Sequence, residues 1–237
     1  ALIKVTGGTL NAGSIQLGRT FDNLGSDPGA ANVDKNLYIT GGAVNLSGTL
    51  QIGTSSNQPN SSVGTRIDGG TLTVSGAISI GLVSPDRWSI LDVNGGDLVS
   101  TDTVSGVILG SSFVGTTVFT GNSTLVVRSG TATLERIQFG QTTVGGAGSV
   151  KLLGGTLYMG SGGFNLGTTG TYASEIRLAG GTLAAKAPWT TSFPINVAGT
   201  NHSVVKTANA NDDSFDITLN GTLTGTAPHL IYTPRPG

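Results

Sequence analysis

Residues 68–81 read Asp-Gly-Gly-Thr-Leu-Thr-Val-Ser-Gly-Ala-Ile-Ser-Ile-Gly, and the pattern returns along the whole chain. Two units are nested in it. The second, a short alternating strand closed by glycine, recurs as SIQLG ending at Gly18, TLQIG at Gly53, AISIG at Gly81, GVILG at Gly110, RIQFG at Gly140 and GFNLG at Gly167. PINVA ending at Ala198 and DITLN ending at Asn220 read as degenerate copies, so the intervals run from 22 to 35 residues. The first unit is a glycine pair followed by an apolar strand start: Gly7 and Gly8, Gly41 and Gly42, Gly69 and Gly70, Gly95 and Gly96, Gly154 and Gly155, Gly180 and Gly181. The fifth repeat carries the looser Arg-Ser-Gly-Thr-Ala-Thr-Leu from Arg128 to Leu134.

A period of this length across a whole chain is the mark of a repeat architecture. Each unit reads as strand, Gly-Gly turn, strand, polar break, strand and variable loop, while no stretch sustains the apolar spacing of a helix. The expectation is an all-β fold, a right-handed parallel β-helix or β-solenoid of about eight coils with three short strands per coil. At about 4.8 Å per coil such a rod is roughly 40 Å long. One solenoid domain is expected over 1–227, with a Pro-containing C-terminal end or linker over 228–237, where Pro234 and Pro236 cannot donate ladder hydrogen bonds. The inward set should be Ile15 and Leu17, Leu50 and Ile52, Ile78 and Ile80, Val107 and Leu109, Ile137 and Phe139, Phe164 and Leu166, Ile195 and Val197, and Ile217 and Leu219. The glycine pairs supply positive φ or close backbone approach at the corners.

Composition agrees with a rod of small aliphatics: among 237 residues there are 39 glycines, and charged residues are 11%. Twelve Lys and Arg against 13 Asp and Glu give a formal charge of −1, which argues against nucleic acid as a partner, since phosphate binding needs a concentrated basic face. Cysteine is absent, so there is no disulfide framework, no thiolate nucleophile and no Cys-ligated metal. No apolar run approaches the 18 or so residues of a membrane span. The chain opens Ala-Leu-Ile-Lys rather than with Met and a signal segment, which reads as a mature, trimmed or partial chain.

With its GGTL, TLQIG and AISIG units, the chain resembles the autotransporter-associated β-strand repeats, also found in large bacterial surface proteins with PEP-CTERM sorting signals. The resemblance covers the whole chain and implies a secreted or surface-displayed bacterial β-helix, extracellular or at the cell surface. That family has no catalytic residues to carry over, and no sorting signal or transport barrel is present in this sequence.

Several residues are candidates for chemistry. Asp212, Asp213 and Asp216, with Asn209 and Asn211 beside them and His202 upstream, are the tightest acidic group; carboxylate and amide oxygens suit calcium, the one cofactor under consideration, or an acid/base pair. Asp68, Asp92 and Asp97 lie near equivalent corners and are the other source of the two facing carboxylates that glycoside hydrolysis needs. Against both stands the ordinary reading of Asp in solvated loops and Gly-rich turns. Trp88 and Trp189, placed in the variable segments SPDRWS and KAPWTTSF, are candidate carbohydrate contacts, unless they fold back over aliphatic edges. The leading expectation is a non-enzymatic structural module, a spacer or fibre subunit whose partners are a second copy stacked head to tail or flanking repeats of a longer chain. A polysaccharide-binding adhesin and a polysaccharide-degrading β-helix, a lyase or glycoside hydrolase, remain the alternatives.

Overall fold

A computed structural model describes residues 2–17, 36–53, 63–81, 88–110, 122–140, 147–167, 173–226 and 230–233. Gly18, Tyr172, His229, Pro234 and Pro236 lie outside the described residues. The described chain is all β, without a helix. In chain order its strands are β1 (Ile3–Val5), β2 (Thr9–Ala12), β3 (Ile15–Leu17), β4 (Leu37–Leu46), β5 (Leu50–Ile52), β6 (Val63–Val74), β7 (Ile78–Ile80), β8 (Trp88–Ser100), β9 (Val107–Leu109) and β10 (Asn122–Phe139). They continue as β11 (Ala147–Leu152), β12 (Thr156–Leu166), β13 (Ala173–Leu178), β14 (Thr182–Ala185), β15 (Trp189–Thr191), β16 (Ile195–Val197), β17 (Ser203–Lys206), β18 (Ile217–Leu219), β19 (Leu223–Gly225) and β20 (Leu230–Thr233).

Each segment pairs in parallel with its counterpart one repeat further along, and the pairs form three ladders. The first runs β1, β4, β6, β8, β10, β11, β13, β16, β19. The second uses β2, the later halves of β4, β6 and β8, the middle of β10, then β12, β14, β17 and β20. The third runs β3, β5, β7, β9 and the ends of β10 and β12. All belong to one 18-stranded sheet, beside which β15 and β18 form a parallel pair. Successive Cβ atoms alternate across a strand, so one set of columns points inward. Val5, Ile39, Ile67, Val93, Val127, Leu152, Leu178 and Val197 form one such column, and Leu72, Leu98, Ala132, Leu157 and Leu183 another, all buried. Each Leu, Ile or Val fully buried this way contributes about 1.5–3 kcal/mol relative to exposure.

At the first corner the glycine pair sits within a continuous strand in β4, β6 and β8, and β10 passes the same corner at Ser129 and Gly130. The pairing shifts register at this corner between Ile39 and Ala43 and between Val127 and Thr131. The corner is therefore a stacked bulge rather than a hairpin-type turn. Gly42 has φ +77, and a Cβ there would collide with the Gly8 carbonyl oxygen and come within 2.6 Å of the Gly7 carbonyl carbon. The same relation continues upward through Gly70, Gly96, Gly130, Gly155 and Gly181, each facing the glycine of the preceding repeat. Glycine is required here because neighbouring backbones occupy the space of a side chain.

Ile195 and Val197 are buried as expected but on another ladder, and Ile217, Leu219 and Leu166 depart from the expected column. Ile195 and Val197 pair with Ile176 and Leu178, so β16 belongs to the first ladder, not with Ile15 and Leu17 in the third. In that repeat β15 intervenes: Trp189, expected in a loop, lies in a strand with its ring 5.7 Å from Phe164 in an edge contact, and Ile217 and Leu219 pair with Trp189 and Thr191. Leu166, expected inward, is 51% exposed, while the Phe193 ring packs 4.9 Å from Phe139. The third ladder ends at the pairing of Phe139 with Leu166, and there the Phe193 ring covers Phe139 in place of an aliphatic strand residue.

Candidate functional site

The position three residues before each glycine pair faces outward on the first ladder. The pairings stack Lys4, Tyr38, Arg66 and Asp92, then Val126, Lys151 and Arg177, in one column. In a chain only 11% charged, this column concentrates cations on one face.

Its first half is a closed network. The Tyr38 hydroxyl donates to Asp68 Oδ2 at 2.5 Å, while Arg66 Nε at 2.5 Å and Asn94 Nδ2 at 3.0 Å donate to Asp68 Oδ1. Arg66 also reaches Asp92, with Nη1 3.6 Å from Oδ2, and Arg128 Nε donates to Asp92 at 3.0 and 3.3 Å. Lys4 Nζ stands 5.8 Å from the Tyr38 ring centroid. Burial pushes the Asp68 carboxyl up, but the hydrogen bonds from Tyr38, Arg66 and Asn94 together outweigh it and hold the carboxyl below its usual range. At Asp92 burial wins over Arg128 and Arg66, and the carboxyl is raised. The Tyr38 phenol is raised in turn, first by its hydrogen bond to Asp68. Thus Asp68 and Asp92 do come together, but around a shared arginine. Asp92 is 1% exposed and both its oxygens face arginines, so its carboxylate is not presented to a substrate. Asp97 is on the second ladder, where it accepts from the Thr131 hydroxyl.

The second half of the column is open. Trp88 begins β8 and is half-buried, and Lys151 Nζ stands 5.9 Å from its ring centroid. Between them lies a surface cavity of about 170 Å³ whose walls include Asn122, Ser149 and Glu175. The Thr124 and Ser149 hydroxyls hydrogen-bond to each other at 3.0 Å beside it. Lys151 pairs directly with Arg177 in the ladder, and neither forms an ion pair among the described residues. Arg177 Nε is buried without an acceptor among the described residues.

The acidic loop is self-satisfied. Asp212, at φ 63, pairs with Lys206 Nζ at 2.6 Å, and that hydrogen bond raises the lysine pKa. Asp213 Oδ2 accepts from Asn209 Nδ2 at 2.9 Å, and Asn209 Oδ1 accepts from the amides of Asn211 and Asp213. The Asp216 carbonyl accepts from the Trp189 amide at 3.1 Å. Among the described residues no three His, Cys, Asp or Glu side chains come together as a metal-binding group. Trp189 is 3% exposed, a core residue with no free ring face, so of the two tryptophans only Trp88 meets solvent.

Tyr38, Arg66, Arg128, Lys151 and Arg177 were not singled out from the sequence. Aligning the repeats on the glycine pair would have found most of them, because Lys4, Tyr38, Arg66, Asp92, Lys151 and Arg177 each fall three residues before it.

The fold and this outer face define the class as an all-β parallel stack with a charged column along one ladder. No family model, curated protein or solved structure matches the chain.

Proposed function

We propose that the chain is a structural module: a right-handed β-solenoid rod of about eight coils with three short strands each, acting as a spacer or fibre subunit. Its setting is a secreted or surface-displayed bacterial protein of the kind the repeats resemble. The observation that carries this reading is the in-register pairing of every first-ladder strand with its counterpart in the next repeat, from β1 to β19. A stack of that kind gains stability by nearest-neighbour contacts and gives length rather than a catalytic cleft. The cross-repeat pairs Arg66–Asp92 and Arg128–Asp92 add polar ties along the same axis.

Small-angle scattering combined with electron microscopy over a concentration series tests it. A rod with an axial length of roughly 40 Å is expected. Filaments with that axial repeat assign the fibre role, and discrete rods at every concentration assign the spacer role. A compact, isometric particle overturns the reading, as does cleavage of a polysaccharide by the purified protein.

A further inference from the structure

The open half of the charged column has the chemistry of a saccharide subsite. We infer that the surface between Trp88 and Lys151 binds a carboxylated sugar, one uronate-type residue of an acidic polysaccharide. Two cations, Lys151 and Arg177, stand directly opposite each other on β11 and β13 with no carboxylate paired to either among the described residues. Like charges placed opposite in a ladder are destabilising unless an anion joins them. Arg66 and Arg128, on the same face, already have Asp92 between them, whereas Lys151 and Arg177 lack such a group. The Nε of Arg177 is buried and without an acceptor among the described residues, so that edge of the guanidinium is bonded to no carboxylate there.

The neighbouring groups set the ligand class. The Trp88 indole supplies an apolar face with a polar edge, suited to stacking on the C–H face of a pyranose. Asn122 and Ser149 offer an amide and a hydroxyl at the cavity wall, and Glu175 an acceptor for sugar hydroxyls. A cavity of about 170 Å³ is below the roughly 300–1,000 Å³ of sites that enclose a drug-sized ligand, which sizes it to one ring of a longer chain. Trp88 pairs through Asn122 with Ala147, two ladder steps along, and Lys151 lies four residues further on in β11, so ring and carboxylate would run obliquely across the first ladder. A nucleic acid fits poorly, because the formal charge is −1 and the cations at Arg66 and Arg128 are already neutralised.

The inference stands apart from the rod reading, which scattering tests by shape alone. Its test is calorimetric and fluorescence titration of the whole chain with a tetragalacturonate, with cellotetraose as the neutral oligomer of equal length and inorganic phosphate as the bare anion. Saturable binding of the uronate, with a change in Trp88 emission and weakening at higher salt, is expected. Trp88→Ala and Lys151→Gln should each weaken it about tenfold. Trp88→Phe should keep most of it, and unchanged circular dichroism in each variant shows that the fold is kept. Trp189→Phe assigns the emission change to Trp88. Equal binding of cellotetraose removes the role of the cations and overturns the inference. So does competition by phosphate at the same concentration, which makes the site one for a simple anion, or failure of the uronate to bind.

Discussion

The glycine column at the first corner makes a graded prediction, because three of its members differ in what a methyl group would meet. At Gly7 an added Cβ finds nothing within 4 Å and φ is not positive, so alanine should be neutral or stabilise by about 0.4–1 kcal/mol through the unfolded chain. At Gly8 the space is again open but φ is +68, which isolates the conformational cost, about 1–2 kcal/mol for a residue with a Cβ. At Gly70 both effects act: φ is +74, and the Cβ would lie 2.8 Å from the Gly41 carbonyl carbon, 2.9 Å from the Gly42 nitrogen and closer still to the Gly42 oxygen. Those are backbone atoms of the adjoining repeat and cannot rotate away. Relief requires parting two coils, and overpacking of that kind adds about 1–3 kcal/mol, for a total of about 2–5 kcal/mol at Gly70→Ala. The assay is urea unfolding followed by circular dichroism, together with amide exchange on β4 and β6. Exchange matters because a solenoid opens repeat by repeat, and a loss confined to one corner would be diluted in the global midpoint. A Gly70→Ala variant that loses no more than Gly8→Ala would refute the close stacking of backbones and leave φ as the only reason for glycine.

The pH response of the charged column follows from two shifts of opposite sign. Asp68 is held below the ordinary carboxylate value of 3.8, so its stabilisation is present above that pH and is lost as pH falls through the folded value. Asp92 is raised above 3.8, so its contribution is full below that pH and is lost as pH rises through the folded value. In urea unfolding from pH 3 to 7, Asp92→Asn should abolish the decline above pH 3.8 and leave the acid-side loss in place; an unaltered pH profile would contradict the burial cost at Asp92. In the third ladder, Phe139 is fully buried against Phe164 and Phe193, so Phe139→Ala should cost about 3–5 kcal/mol. A Phe139–Phe193 double-mutant cycle should return a coupling of about 0.5–1.5 kcal/mol, and zero coupling would deny the ring contact.

The parallel stack was legible because its inward columns repeat in kind. Ile15, Leu50, Ile78, Val107, Ile137 and Phe164 follow the alternating motif and do pair in that order. The motif misled at Ile195 and Val197, since Ile-Asn-Val has the same apolar-polar-apolar form on any ladder, and only pairing with Ile176 and Leu178 shows which one. The strand that took the expected place, Trp-Thr-Thr over Trp189–Thr191, lacks the apolar-polar-apolar form and the closing glycine of the motif. Trp189 packs on Phe164 and Phe193 on Phe139, contacts between residues far apart in the chain. The acidic residues were visible, but whether Asp92 faces a substrate or two guanidiniums depends on Arg66 and Arg128, respectively 26 residues before and 36 after it.

Val126 is the residue that divides the outer column. It stands between Asp92 and Lys151 in the pairing and is fully buried and uncharged. Below it, carboxylates at Asp68 and Asp92 meet arginines from the same and adjoining repeats, and the cluster neutralises itself. Above it, the alternation of sign stops: Lys151 is followed by Arg177, and Lys151 rests on the Trp88 ring instead of on a carboxylate. A cation over an aromatic face contributes about 0.5–1 kcal/mol at an exposed site, less than a charge-assisted hydrogen bond, so Lys151 retains attraction for an anion arriving from solvent. The same repeat position therefore ties coils together in one half of the rod and leaves charge available in the other, and the difference is set by one valine where a carboxylate would have continued the network.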